Sequence, residues 1–238
     1  MKNNAKTIVI GIITGLAILM SCLSLFLIFF RSDGTLSAEK IYNDNLHTVV
    51  EVKSFTNDII MYGSAVCVGD GGLFVTNAHV VSYEEYTETK VFENIQIRFS
   101  DRDEYMNAML EKIDYDDDLA LISVESCTDI ATPVKLRNGE VYEGETVYAI
   151  GNAQNYGISI ASGIISQRRL NIVKNGKDIT AIQCSLNITE GNSGGALLDA
   201  TGKLVGLTTF RLRDSTGTVV YGFCFALPID VIRNFINN

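Results

Sequence analysis

Three side chains in this sequence have the chemistry for acyl transfer: the hydroxyl of Ser193, the imidazole of His79 and the carboxylate of Asp118. Ser193 sits in Gly191-Asn192-Ser193-Gly194-Gly195, ahead of Ala196-Leu197-Leu198. Glycines on both sides leave its hydroxyl uncrowded and let the backbone turn sharply, so that amide hydrogens can converge beside it. Acyl transfer needs that arrangement: an exposed nucleophile, and donors placed where a carbonyl oxygen becomes an oxyanion. Alone, the five residues also fit a glycine-rich β-turn. Residues further up the chain favour the catalytic reading.

A serine hydroxyl attacks at neutral pH only if a base takes its proton, and imidazole titrates in the right range. The chain has two histidines. His79 lies in Val75-Thr76-Asn77-Ala78-His79-Val80-Val81, where a strand gives way to a small-residue turn, so rigid scaffold would hold the ring at a surface. His47 lies in a polar arm with no supporting pattern. The base in turn needs a carboxylate to fix its tautomer and stabilise the imidazolium. Asp114, Asp116, Asp117 and Asp118 crowd one loop. The first three read as a solvated turn, whereas Asp118 abuts the apolar run Leu119-Ala120-Leu121-Ile122 and can be drawn inward.

These residues must be positioned by β-structure. Thr48 to Phe55, Ser64 to Val68, Leu73 to Thr76, Val91 to Phe99, Met106 to Ile113 and Leu119 to Val124 read as short strands. Val147 to Ile150, Gly157 to Ser166, Ile179 to Cys184, Leu204 to Phe210 and Val219 to Ala226 continue the series. Ser82 to Lys90, charged and aromatic without periodicity, reads as an exposed loop. Short strands at this spacing, with glycine turns, place the chain in the barrel or sandwich class. One helix is expected after Pro228, with Ile229, Ile232, Phe235 and Ile236 on one face. Thr35 to His47 reads as a linker followed by a short helix or irregular arm.

The 238 residues carry a formal charge of −9 and are 47% hydrophobic. That charge speaks against a nucleic-acid partner, because phosphate binding needs a basic face. No Cys/His cluster has metal-ligand spacing, so neither metal nor cofactor is expected. Ahead of the strands, 24 uncharged residues run from Thr7 to Phe30 between Lys6 and Arg31. As a helix they extend about 36 Å, which predicts an uncleaved, single-pass transmembrane anchor. Lys2 and Lys6 orient its start to the cytoplasm and the remainder outside, so the expected location is the cell membrane with an extracytoplasmic domain. Leu19-Met20-Ser21-Cys22 loosely resembles a bacterial lipoprotein box, a minor alternative. Cys67, Cys127, Cys184 and Cys224 read as buried free thiols; spacing does not pair them.

Taken together, the motifs resemble a chymotrypsin-fold serine protease of the HtrA/Deg branch of trypsin-like peptidases, over about residues 40 to 236. Thr76-Asn77-Ala78-His79-Val80-Val81 is similar to the family's histidine segment, Asp118-Leu119-Ala120-Leu121-Ile122 to its aspartate segment, and Gly191 to Gly195 to its serine segment. Ala149-Ile150-Gly151-Asn152, Ala161 to Ser166 and Phe225-Ala226-Leu227-Pro228 match in the same order. The resemblance implies an all-β domain of two six-stranded antiparallel barrels, here residues 48–130 and 131–238 with the terminal helix. Residues 1–6 (a cytoplasmic end), 7–30 (the anchor) and 31–47 (an arm) would precede it. It implies a catalytic His79, Asp118 and Ser193, an oxyanion hole from the N–H groups of Gly191 and Ser193, and endopeptidase action on unfolded or exported polypeptides. A substrate pocket would involve Asn187, Cys224 and Ala226. Because Asn187 stands where trypsin-like enzymes carry an acid, strict Lys/Arg specificity is not expected. Members of the branch often form trimers, which nothing in Ser32 to His47 decides. They also commonly carry PDZ domains, and none is expected here. The alternatives are a latent protease that a partner activates, or a non-catalytic peptide-binding domain using the same cleft.

Overall fold

In the computed structural model, residues 2–30, 34–70, 72–174, 177–210 and 222–238 are described. They fall into two units, residues 1–35 and residues 36–238. The first holds α1, Lys2–Phe30, a single helix of 29 residues. Its side chains are described at Lys6 and over residues 11–25, and among the described residues no helix is long and apolar enough to cross a membrane. The helix expected over the apolar run is therefore present, while the transmembrane span is not supported.

The second unit starts with α2, Ala38–Asp44, whose N-cap Ser37 accepts the Lys40 N–H at 3.1 Å. The first barrel follows. Its strands are β1 (Val49–Phe55), β2 (Ile60–Gly69), β3 (Leu73–Thr76), β6 (Asn94–Arg98), β7 (Met106–Asp114) and β8 (Leu119–Ser123), closed in the order β1-β2-β3-β8-β7-β6. The second contains β9 (Thr146–Asn152), β10 (Ile158–Lys174), β11 (Lys177–Cys184), β12 (Ala196–Asp199), β13 (Leu204–Phe210) and β14 (Cys224–Pro228), closed as β10-β11-β14-β13-β12-β9. All pairings are antiparallel. The two six-stranded barrels thus meet expectation, and Ala196–Asp199 adds a strand the sequence reading lacked.

Each barrel is filled by its own apolar side chains, Val50, Val52, Phe74, Ile97 and Ile122 in the first and Val147, Ile165, Ile182 and Leu197 in the second. A third cluster joins them: Val49, Val66, Val75 and Leu119 from one barrel meet Ile150, Leu198, Leu207 and Leu227 from the other. Strands at this seam are covered on both faces, which is why Val49 to Val52 is buried at four successive positions instead of alternating. Terminal helix α4, Ile229–Asn237, inserts Ile229, Ile232 and Phe235 into the same cluster, and α2 adds Ile41. Pro228 is its N-cap, one position before the first helical residue.

One expectation is corrected. Residues 82–91 form a hairpin, β4 (Ser82–Glu85) with β5 (Glu88–Val91), rather than an irregular loop. Thr89 donates to Glu84 at 2.7 Å and Lys90 pairs with Glu85 across it, so polar cross-strand pairs replace an apolar face. Of the strand expected over Val219 to Ala226, residues 219–221 lie outside the described residues.

Candidate active site

His79 is carried by α3, Ala78–Val81, one helical turn directly after β3. Ala78, Val80 and Val81 are buried, so the turn is anchored on three sides and His79 alone faces outward. Asp118 closes the turn before β8 in the left-handed region, φ 54°, a conformation that aspartate and asparagine tolerate better than most residues. Asn77 Nδ2 donates to the Asp118 carbonyl at 2.9 Å, tying the two turns together.

Asp118 is buried, 7% exposed, and its carboxylate collects several donors. His79 Nδ1 lies 2.9 Å from both of its oxygens, and the His79 backbone N–H donates to Oδ1 at 3.1 Å. The Thr209 hydroxyl donates to Oδ2 at 2.8 Å. With its Nδ1 hydrogen directed at this carboxylate, the ring presents Nε2 as the acceptor. His79 and Ser193 line one cleft of about 780 Å³ between the barrels, with Ile60, Met61 and Tyr62 on one wall and Gln154, Asn155 and Tyr156 on the other. The Ser193 hydroxyl donates to the Thr209 carbonyl at 2.8 Å. Thr209 therefore touches both ends of the constellation, its hydroxyl on Asp118 and its carbonyl on Ser193.

Successive peptide planes of the serine loop are clamped one by one. The Glu190 carbonyl accepts the Gln154 N–H at 2.6 Å, so in a planar trans peptide the Gly191 N–H points the opposite way. The Gly191 carbonyl accepts the Ser64 hydroxyl at 2.8 Å, and the Asn192 N–H closes a turn on the Thr189 carbonyl at 3.2 Å. The Asn192 carbonyl takes the Thr208 hydroxyl at 2.5 Å and the Gly195 N–H at 2.9 Å. Finally the Ser193 carbonyl accepts the Ser64 N–H at 2.8 Å. Gly191 at φ 91° and Gly194 at φ 82° supply the left-handed conformations the turn requires. Ser64, fully buried on β2, reaches across from the first barrel and also accepts the Asn152 N–H at 2.8 Å.

Other candidates fall elsewhere. His47 pairs with Asp101 at 3.0 Å on the surface, and that hydrogen bond holds the Asp101 carboxyl below its usual range. Asp114 accepts the N–H groups of Asp116 and Asp117, making the solvated turn expected of it. Burial, with Asp114 nearby, pushes the Asp117 carboxyl up. Cys224 and Ala226 do not line the cleft: both are fully buried inside the second barrel, opposite Cys184 and Ile182. Alternate residues of a strand share a face, and this face points into the barrel. Asn187 is exposed and also lies off the cleft. Cys67, Cys127, Cys184 and Cys224 are buried free thiols. The hydrogen bond to Cys224 and then burial raise the Cys184 thiol, and burial raises Cys67 to about 11, so neither is a thiolate nucleophile.

Thr209, Thr208, Ser64 and Gln154 went unread in the sequence. Two threonines inside the otherwise apolar run Leu204 to Phe210 were the available signal for the first pair. Ser64 in a strand and Gln154 in a loop carry none. Thr209→Val keeps the volume and the carbonyl and removes only the donor to Asp118. It is expected to lower kcat/KM for a peptide substrate about tenfold, with the fold unchanged by circular dichroism.

Two closed six-stranded barrels with a His–Asp pair on one and a glycine-flanked serine loop on the other define the chymotrypsin-like class. Comparison with known proteins agrees. Residues 63–207 match the trypsin-like peptidase domain. The chain is 33% identical over 177 residues to serine protease HTR4 of Rattus norvegicus, covering 73% of this chain and 33% of that protein. It is 30% identical over 176 residues to the serine endoprotease DegS of Haemophilus influenzae, covering 73% of this chain and 48% of the relative. The solved structure of the HtrA-type protease AlgW with tripeptide superimposes with a TM-score of 0.72 at 26% identity, covering 85% of this chain and 63% of that one. The chain belongs to the trypsin-like peptidase family, in its HtrA-type branch. It spans about a third of the length of the curated HTR4 relative.

Proposed function

We propose that the chain is a serine endopeptidase in which His79 is the general base, Asp118 its orienting carboxylate and Ser193 the nucleophile. The observation that carries this reading is the buried Asp118 carboxylate meeting His79 Nδ1 at 2.9 Å while Nε2 faces the cleft that Ser193 lines. A peptide carbonyl bound there would be attacked by Ser193 Oγ as its proton passes to His79 Nε2. The imidazolium, stabilised by Asp118, would return that proton to the leaving amine, and water would then release the acyl group by the same relay. The N–H groups of Gly191 and Ser193 are the proposed oxyanion donors, supported by the clamped planes that carry them. Unfolded or exported polypeptides are the proposed substrates. The uncharged run Thr7 to Phe30 supports attachment of the domain to a membrane, tested by whether alkaline carbonate releases the full chain from membranes.

A second reading, a protease at rest until activated, is favoured by one contact: the Ser193 hydroxyl is given to the Thr209 carbonyl instead of to His79. Attack then requires the Ser193 hydroxyl to leave the Thr209 carbonyl and turn toward His79. Labelling with a fluorophosphonate distinguishes the readings. The active enzyme is expected to label without additions and the resting one only after a peptide is supplied, with Ser193→Ala unlabelled in both cases. Failure to label folded protein under either condition, across neutral and alkaline pH, would remove the hydrolase reading.

A further inference from the structure

We propose that the second barrel carries a docking site for the free carboxyl terminus of a polypeptide, at the end of the barrel where α4 begins. A cavity of about 470 Å³ opens there, sharing no lining residue with the cleft. Its floor is apolar: Val141, Ile182, Val205 and Ile229 all line it and are all buried. Its wall holds four arginines, Arg137, Arg168, Arg169 and Arg233, in a chain whose net charge is −9. So dense a basic group on an acidic protein calls for an explanation.

Three of these arginines have carboxylate partners. Arg137 pairs with Glu145 and Asp199, Arg169 with Asp230 at 2.7 Å, and Arg168 with Glu140 at 3.3 Å while stacking on Tyr142. Arg233 differs. It donates to the carbonyl of Arg137 at 2.9 Å and to Asn138 Oδ1 at 3.4 Å, both neutral, and among the described residues no carboxylate reaches ion-pair distance of it. A half-buried guanidinium beside an apolar floor, without a counter-charge, is an anion site in need of an anion. The first residues of α4 line the same wall, and its N-cap Pro228 makes no side-chain cap, which leaves backbone N–H donors there as well.

The rim selects which anion. Glu140 and Asp230 stand among the arginines, so a phosphate dianion would meet about twice the repulsion that a single carboxylate does. The buried floor asks for an apolar side chain next to that carboxylate. Carboxylates and arginines alternating at the rim also offer partners to peptide N–H and C=O groups, which a fatty-acid chain would leave unpaired. A chain end with an apolar last residue satisfies all three conditions. The site is independent of Ser193 chemistry, so it stands or falls separately from the protease reading.

The test uses the full chain carrying Ser193→Ala, titrated with a fluorescein-labelled pentapeptide ending in valine, followed by anisotropy. The free acid is expected to bind, and its C-terminal amide to bind roughly tenfold more weakly. Arg233→Gln is expected to weaken the acid to the level of the amide. Arg168→Gln, exposed and outside the core, gives a smaller loss in the same direction if Arg233→Gln does not fold. Tyr156→Ala, in the cleft, is expected to leave this difference between acid and amide intact. Equal binding of acid and amide, or an unchanged acid affinity in Arg168→Gln and Arg233→Gln, would overturn the proposal. Decanoate displacing the peptide at lower concentration than unlabelled peptide would overturn it in favour of a lipid carboxylate.

Discussion

Asp118→Asn is expected to leave the fold intact and to reduce kcat about 10⁴-fold, the scale on which a misoriented imidazole costs a Ser-His-Asp enzyme. The backbone tolerates the change because asparagine accepts the left-handed φ of 54° as readily as aspartate does. The side chain does not. Asp118 receives the His79 N–H, the His79 Nδ1 hydrogen and the Thr209 hydroxyl, and each of these three contacts is a donor pointed at an acceptor. An amide nitrogen in either position sets donor against donor. The cheapest relief moves the ring proton to Nε2, which removes the acceptor that Ser193 needs. Thermal unfolding checks the fold, and steady-state hydrolysis of a fluorogenic peptide checks the rate. A loss of tenfold or less, with the fold kept, would mean that Asp118 does not orient the base.

The contrast with Thr209→Val follows from the same contacts. Removing Thr209's hydroxyl takes away one of the donors and leaves the tautomer fixed by the remaining ones, so the expected loss is far smaller. Asp118 decides which nitrogen carries the proton, and Thr209 only helps to hold Asp118.

Why the triad could be read and its supports could not is a matter of where the information sits. Ser193, His79 and Asp118 announce themselves through local composition: glycines around a hydroxyl, small residues around a ring, an acid against an apolar strand. The barrels are legible for a related reason, since short β-branched strands bounded by glycine turns leave a local trace. Ser64 has no such trace. It matters because the Gly191 carbonyl lies 2.8 Å from its hydroxyl across 127 positions of chain, a relation only the closed barrels create. The expected pocket of Asn187, Cys224 and Ala226 failed likewise on orientation. Cys224 and Ala226 share a strand face, and barrel closure turned that face inward. The hairpin at residues 82–91 escaped because strand patterns are recognised by a buried face, and here only Ser82 and Tyr83 turn inward while Glu84–Thr89 and Glu85–Lys90 pair on the exposed part.

Gly194→Ala should then be among the most damaging single changes available, because it strikes the point where the two barrels hold the serine loop. A Cβ at Gly194 would lie 2.1 Å from the Ser64 carbonyl and 2.4 Å from Thr76 Oγ1. Both belong to the first barrel, and the Thr76 hydroxyl donates to that same carbonyl at 2.7 Å. Backbone cannot yield as a side-chain tip can, so relief means separating the loop from β2 and losing the Ser64 contacts to Gly191 and Ser193. Overpacking together with the left-handed φ is expected to cost about 3 kcal/mol or more in urea unfolding, with hydrolysis falling to the level of Ser193→Ala. Gly144→Ala separates the two causes. Gly144 has φ 85° but nothing within 4 Å of its added Cβ, so it reports conformational strain alone, about 1 kcal/mol, with activity retained. Thr76→Ala should not rescue Gly194→Ala, since the Ser64 carbonyl remains in place. If Gly194→Ala proved as mild as Gly144→Ala, the loop would be free to move away from β2, and the clamped planes would not be what sets the oxyanion donors.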